Sequence, residues 1–272
     1  MADSKAHSDS SPGGIAIALQ DVQFAYATAP VLCDITLSFR PGELTCVIGP
    51  NGSGKSTLAG LMVGLHTPTG GRIEVMHAPL ATMPHRQRAR WISLVPQRSL
   101  CSFDFTVMEL VAMGRYHGTG ATDGRRLPAA DEAAIEEAMR LAGVSHLANR
   151  LITELSMGEQ QRVGIARMLA QDTPVVILDE PTASLDLQHQ LELMDLLEAI
   201  KKQGCCLVLI THDLNIAAQC ADNVVALHQG RIAARGKPAE VLCDKVLGEV
   251  FGVRLQARGD TMGFVLNRKS AD

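Results

Sequence analysis

The chain has 272 residues, 46% hydrophobic and 20% charged, with 25 Lys and Arg against 29 Asp and Glu for a net charge of −4. That length supports a large core, as one big domain or a domain with a subdomain, and a slightly acidic balance with no strongly basic block argues against nucleic acid as the main partner. Cys33, Cys46, Cys101, Cys205, Cys206, Cys220 and Cys243 show no C-x-x-C or zinc-like spacing, and the nine histidines no H-x-x-x-H or H-E-x-x-H pair. This pattern reads as reduced packing thiols in a cytosolic protein with no structural metal.

Residues 1–14 are polar and rich in Ser, Asp and Gly without an apolar centre, which reads as a disordered tail and not a signal peptide. Residues 15–45 then alternate at strand period, through Ile15, Ile17 and Leu19 and again through Val22, Phe24 and Tyr26. Turn residues follow at Ala29-Pro30 and Pro41-Gly42. The apolar run Leu44–Ile48 reads as a buried strand, and the helix-compatible run Ser56–Leu65 begins just beyond it. Between them lies Gly49-Pro50-Asn51-Gly52-Ser53-Gly54-Lys55-Ser56-Thr57, which fits G-x-x-x-x-G-K-[ST] at every fixed position. A glycine-rich turn between strand and helix leaves backbone N–H groups free to point inward at the positive end of the helix, an anion site sized for nucleotide phosphates. Lys55 would reach the β- and γ-phosphates and the Ser56 hydroxyl a Mg²⁺ ion, so the chain binds a nucleoside triphosphate on this reading.

Gly70-Gly71 followed by Arg72–Val75 reads as another antiparallel strand, the short basic tract His85–Arg90 as a solvated helix face, and Trp91–Val95 as an apolar stretch leading to Gln97. Residues 98–160 read mostly as helix. Thr106 and Glu109 fit a capping box ahead of Val107, Leu110 and Val111. Gly118–Pro128 reads as a polar loop, and Ile135, Ala138, Met139 and Ala142 as an amphipathic helix ending near Gly143. Ser156 and Glu159 fit a second capping box, opening a helix through Val163, Ala166 and Leu169. Its local sequence leaves two readings open. One is a plain helix start; the other is a second phosphate site, which one chain with two distant sites resolves by pairing head to tail with a copy of itself.

The last section alternates strand and helix. Val175–Leu178 is a continuous apolar strand ending in Asp179-Glu180. Leu187, Leu191, Met194, Leu197 and Ile200 form a helix stripe, read as core packing. Leu207–Ile210 is a buried strand leading to His212, and Val224–Leu227 follows with a turn at Gln229-Gly230. The pattern predicts an α/β protein with a three-layer parallel core, a helical insertion and an antiparallel piece. Ligands of open α/β sheets bind outside the carboxyl ends of strands. Asp179 there suits a Mg²⁺-organising carboxylate, Glu180 a base for attacking water, and His212 a hydrogen-bond donor to a γ-phosphate. No apolar run approaches the ~18 residues a membrane helix needs, so any span is supplied by another chain.

Together these residues resemble the ATPase subunits of ABC transporters, from Ile15 to about Leu255. The resemblance implies a P-loop NTPase (RecA-like) fold over 15–255, its parallel core carrying an antiparallel β subdomain and an α-helical subdomain at about 98–160. Residues 256–272 form a C-terminal extension, in which Phe264 and Val265 suit a small β addition. The resemblance also implies that Tyr26 stacks on adenine and that Gly49, Pro50, Asn51, Gly52, Ser53, Gly54, Lys55, Ser56 and Thr57 bind ATP. Ser56, Gln97 and Asp179 would hold Mg²⁺, with Glu180, His212 and Gln97 catalytic. The signature motif and D-loop, represented by Ser156, Met157, Gly158, Glu159 and Asp186, would act in trans within an ATP-bound homodimer. The commonest family signature is Leu-Ser-Gly-Gly-Gln, and this chain departs from it at Met157 and Glu159.

Val95-Pro96-Gln97, Phe103-Asp104-Phe105-Thr106-Val107, Met113-Gly114-Arg115-Tyr116-His117, Leu185–Gln190 and Thr211–Asn215 are similar to importers of iron–siderophore complexes, haem or cobalamin. The resemblance therefore implies a subunit on the inner face of the cell membrane. Its ATP hydrolysis would drive a permease, which an external substrate-binding protein serves. Zinc and manganese importers share parts of these tracts, and a non-transport ABC ATPase of a soluble machine would carry the same ATP motifs. A P-loop kinase or GTPase leaves the signature helix without a role, and no N-K-x-D guanine reader is present.

Overall fold

A computed structural model describes residues 14–97, 104–116, 127–257 and 264–268, the last two strands by backbone alone. Residues 1–13, Cys101, Phe103, His117, most of the loop read at 118–128, and 258–263 and 269–272 lie outside the described residues.

Two sheets share the core. β1 (Ile17–Tyr26), β2 (Ala29–Phe39), β4 (Gly70–Val75) and β5 (Ala78–Pro79) make an antiparallel sheet in the order β2-β1-β4-β5. β3 (Leu44–Ile48), β6 (Ile92–Val95), β7 (Val175–Asp179), β8 (Cys206–Ile210), β9 (Asn223–His228) and β10 (Arg231–Gly236) make the second, in the order β10-β9-β3-β8-β7-β6. It is parallel throughout except for the β9–β10 pair.

Every residue of β3, β7 and β8 is buried, and the period-2 alternation of side chains divides these apolar runs between two cores. Val47, Val175, Ile177, Val208 and Ile210 face the core shared with the antiparallel sheet and α1 (Lys55–Met62). Leu44, Ile48, Val176, Leu178, Leu207 and Leu209 face the helices of the other side.

A third core is helical. α3 (Val107–Ala112), α4 (Ala129–Leu141) and α5 (Met157–Gln171) bury Val107, Leu110, Ile135, Met139, Val163 and Ala166 together. Arg115 joins the group, its Nε 2.7 Å from Asp131 Oδ1 and its Nη1 donating to Ala170 O at 3.0 Å. Both capping boxes form as read. Glu109 N donates to Thr106 Oγ1 at 3.2 Å and Glu159 N to Ser156 Oγ at 3.3 Å, while each glutamate accepts from the backbone N–H of its cap residue.

Several local expectations are corrected. The hairpin between β1 and β2 turns at Ala27-Thr28; Ala29 and Pro30 already belong to β2, where an edge strand tolerates a residue without an N–H. Ile15 lies before β1 and is exposed. The alternation changes phase after Leu19 because a register shift at Asp21, with φ 49°, puts one extra residue into β1. α1 begins at Lys55 and ends at Met62, short of Leu65. In the basic tract, α2 (His85–Trp91) buries no residue, yet Arg88 is more than a solvated charge: it donates to Met83 O at 3.0 Å and Gly64 O at 2.8 Å.

The stripe on α6 (Leu187–Lys202) packs in the core as read at Met194, Leu197 and Ile200 and is corrected at Leu187 and Leu191. Leu187 and Leu191 are 73% and 58% exposed, while Leu193 and Leu197 are buried and Leu196 and Ile200 pack beside them. This helix carries apolar residues on two faces, and periodicity alone does not say which one meets the sheet. Of the cysteines, Cys46, Cys205 and Cys206 are buried, and Cys33, Cys220 and Cys243 partly so. Burial pushes the Cys205 thiol up to about 12, which keeps it a packing group. At the end of the chain β11 (Val253–Ala257) and β12 (Phe264–Arg268) pair antiparallel.

Candidate functional site

β3 ends at Ile48 and α1 begins at Lys55, so six residues turn the chain at the carboxyl edge of the sheet. Gly54 caps the helix at φ 104°, a left-handed conformation that side chains disfavour. A Cβ there would also stand 2.7 Å from Leu32 Cδ2. Asn51 and Gly52 are exposed and leave the turn open to solvent. Lys55 is only 6% exposed, and its Nζ folds back over the turn to donate to Gly49 O at 2.9 Å and Pro50 O at 3.1 Å. Burial lowers its pKa, and the charges of Glu180 and Asp179 push it back up. A buried ammonium, the N–H groups at a helix start and a half-open turn are the chemistry that suits a polyanion.

The sheet order brings the other groups to this place. β3, β8, β7 and β6 are consecutive parallel neighbours, so their carboxyl ends share one edge. Glu180 follows β7 with φ 49°, which turns its side chain out of the strand's alternation, and its N–H donates to Ile210 O at 2.9 Å. Gln97, two residues past β6, donates from Nε2 to Glu180 Oε2 at 2.8 Å. His212, two residues past β8, places Nδ1 3.5 Å from Glu180 Oε1. The Glu180 side chain is 12% exposed and that of His212 63%, so the imidazole stands at the solvent edge over an enclosed carboxylate.

Asp179, the last residue of β7, is buried, and its Oδ1 has no hydrogen-bond partner. Its pKa is raised by burial, with a hydrogen bond from Ser56 acting the other way. An orphaned carboxylate oxygen beside the Ser56 hydroxyl at the mouth of a glycine-rich turn is a hard oxygen donor set of the kind Mg²⁺ takes. The residues present fit that ion. Because burial raises the Asp179 pKa, the folded chain holds this proton more tightly than the unfolded one, and ionisation costs stability as pH rises through the carboxylate range. Asp179→Asn is expected to melt higher than the natural chain at pH 7 without nucleotide, and to lose that advantage in acid, where both side chains are neutral. Thermal melts at the two pH values check this; an unchanged or lower melting temperature at pH 7 would contradict it.

The second helix start lies elsewhere on the chain. α5 packs on α3, α4 and β6. At its N-terminus the Ser156 hydroxyl donates to Glu159 Oε2 at 2.7 Å, and this bond with the backbone N–H of Ser156 holds the Glu159 carboxyl below the usual range. Met157 is 63% exposed. Gly158 sits against the loop before α6, where a Cβ would stand 2.8 Å from Ser184 O. Asp186 caps α6, accepting from the His189 backbone N–H at 2.9 Å and facing its ring Nδ1 at 2.7 Å, bonds that hold its carboxyl low. Ser156, Met157, Gly158, Glu159 and Asp186 thus belong to one surface region, on two adjoining helix starts.

Tyr26 ends β1, half exposed, with its hydroxyl on His66. His66 carries no motif signal and is found only by its contact with Tyr26, whereas His189 lies within the tract Leu185–Gln190.

A family model described as ABC transporter matches residues 32–183. The chain is 38% identical to a hemin import ATP-binding protein of Rhodococcus jostii (strain RHA1), covering 88% of this chain and 81% of that one. It is 37% identical to the ferric enterobactin transport ATP-binding protein of Escherichia coli (strain K12), covering 86% of each. Among solved structures it is similar to a transporter described as metal-chelate type in an inward-facing conformation, with TM-score 0.78, 28% identity and coverage of 93% of this chain and 97% of that one. It is also similar to a dimeric ATP-binding cassette in a post-hydrolysis state bound to ADP and Pi, with TM-score 0.75, 26% identity and coverage of 82% and 98%.

Proposed function

Because this chain belongs to the ABC transporter family of ATP-binding subunits, we propose that its ATP hydrolysis powers import of haem or a ferric siderophore through a partner permease. The single observation that carries the chemistry is the meeting of Gln97, Glu180 and His212 at the strand edge that also holds Lys55 and Asp179. The direction and the cargo class rest on the importing relatives, which match across most of the chain and favour transport over a soluble machine. Among the described residues no helix is long and apolar enough to cross a membrane. The permease supplies the span, and this subunit sits against its inner face, with an external substrate-binding protein delivering the cargo.

In the mechanism, Tyr26 stacks on the adenine. Lys55 leaves the carbonyls of Gly49 and Pro50 for the β- and γ-phosphates, which the N–H groups of the loop from Gly49 to Thr57 surround. Ser56, Asp179 and Gln97 would hold Mg²⁺, which when bound would neutralise phosphate charge. His212 donates a hydrogen bond to the γ-phosphate. As water oxygen bonds to the γ-phosphorus and the bond to the bridging oxygen of ADP breaks, the Glu180 carboxylate takes the water proton. Ser156, Met157, Gly158, Glu159 and Asp186 face the nucleotide of a second copy, so ATP closes the dimer and hydrolysis reopens it.

Purification of the tagged protein from native membranes in mild detergent, with mass spectrometry of what accompanies it, tests the proposal. A multi-span permease in equal amount is expected, and its identity separates haem or siderophore uptake from cobalamin or bare-metal uptake. Recovery without any membrane partner would overturn the import reading.

A further inference from the structure

Tyr26 belongs to an aromatic cluster whose third member no motif announces. Its hydroxyl lies 3.2 Å from His66 Nε2. Its ring stands nearly perpendicular to its neighbours, at 89° to Phe24 with centroids 4.8 Å apart and at 85° to His66 with centroids 5.6 Å apart. Phe24 and His66 lie 5.2 Å apart, tilted by 31°. Phe24 is buried while Tyr26 is 50% exposed. With its hydroxyl engaged and its plane set by two ring neighbours, what Tyr26 offers to solvent is largely ring surface.

His66 is itself anchored. It follows α1, the helix whose start carries the phosphate turn, and its backbone N–H donates to Gly60 O at 3.3 Å, beside Leu65 N at 2.8 Å on the same oxygen. Gly60 makes room for the imidazole, since a Cβ there would stand 2.6 Å from His66 Cδ2. Three residues on, Thr69 N donates to Gln23 O at 2.8 Å, tying the segment to β1.

From this geometry we infer that His66 is a positioning residue for nucleotide binding: it holds the Tyr26 ring in the orientation that receives the purine base. This rests on the reading of Tyr26 as the base platform. Fixing a side chain in its bound orientation removes an ordering cost from binding, so loss of His66 weakens ATP binding while the chemical step, at Glu180, keeps its rate. The effect is that of one modest hydrogen bond, roughly three- to tenfold in affinity.

Steady-state hydrolysis and ATP binding by calorimetry on the full chain test the inference with His66→Leu, His66→Gln, Tyr26→Phe, Tyr26→Ala and the double variant His66→Leu/Tyr26→Phe. The expected result is a KM for ATP raised roughly three- to tenfold in His66→Leu, with kcat within about twofold. Tyr26→Phe, which keeps the ring and loses the hydroxyl, is expected to match it. The double variant should be no worse than either single one, because both remove the same bond. His66→Gln, whose amide reaches about as far as Nε2, should recover most of the affinity. A natural KM in His66→Leu, or additive losses in the double variant, overturns the inference, and a raised KM in Tyr26→Ala alongside leaves the base-platform reading standing. An unchanged KM in Tyr26→Ala overturns both.

Discussion

Glu180→Gln is expected to bind ATP about as well as the natural chain while losing roughly 10²- to 10⁴-fold in kcat, the range a positioned general base supplies. The substitution is nearly isosteric, so an amide at 180 still fits between Gln97 and His212, which approach the natural carboxylate at 2.8 and 3.5 Å. What it removes is the basic carboxylate that takes the water proton, since a neutral amide oxygen still accepts hydrogen bonds but is too weak a base. The positive φ of residue 180 is a backbone property that a glutamine inherits, so the altered side chain still points out of the strand. Binding should hold or tighten, because one of the negative charges facing the Lys55 side of the site is gone. With binding intact and hydrolysis blocked, an ATP-bound dimer should accumulate. Single-turnover hydrolysis and size exclusion in ATP measure both consequences, and hydrolysis at the natural rate would remove Glu180 from its proposed role.

Lys55→Ala is expected to lower ATP affinity by roughly 10- to 100-fold, since the ammonium makes charge-assisted bonds to phosphate oxygens worth more than neutral ones. The nucleotide-free contacts show why the loss falls on binding more than on folding. Lys55 Nζ is held by two carbonyls of its own turn, Gly49 O and Pro50 O. These oxygens lie at the mouth of a turn whose Asn51 and Gly52 are exposed, so water can replace the lost donor. Calorimetric titration with ATP, set beside a thermal melt, separates the effects. Unchanged affinity would contradict the assignment of this turn to the phosphates.

What was legible in the sequence was what neighbours along the chain decide. The glycine-rich turn between β3 and α1 is such a case, because its strand, its glycines and its helix all lie within residues 44–62. The two capping boxes are another, since Thr106 with Glu109 and Ser156 with Glu159 meet three residues apart wherever a helix begins. The buried strands Leu44–Ile48 and Val175–Leu178 were plain for the same reason, as uninterrupted apolar runs suit a sheet covered on both faces.

The tertiary structure alone decided which distant segments meet. The order β3-β8-β7-β6 brings Gln97 to Glu180 across 83 positions of chain, and His212 to within 3.5 Å of the same carboxylate. No local pattern encodes that order, because strand pairing is chosen by the packing of whole faces. The same rule governs α6, where two apolar faces compete and contact with the sheet selects Leu193 and Leu197 over Leu187 and Leu191. It governs His66 as well, an ordinary histidine until the fold sets its ring against Tyr26, 40 positions away. Local motifs name the chemistry of individual groups, but the site exists only when long-range burial holds those groups within a few ångströms of one another.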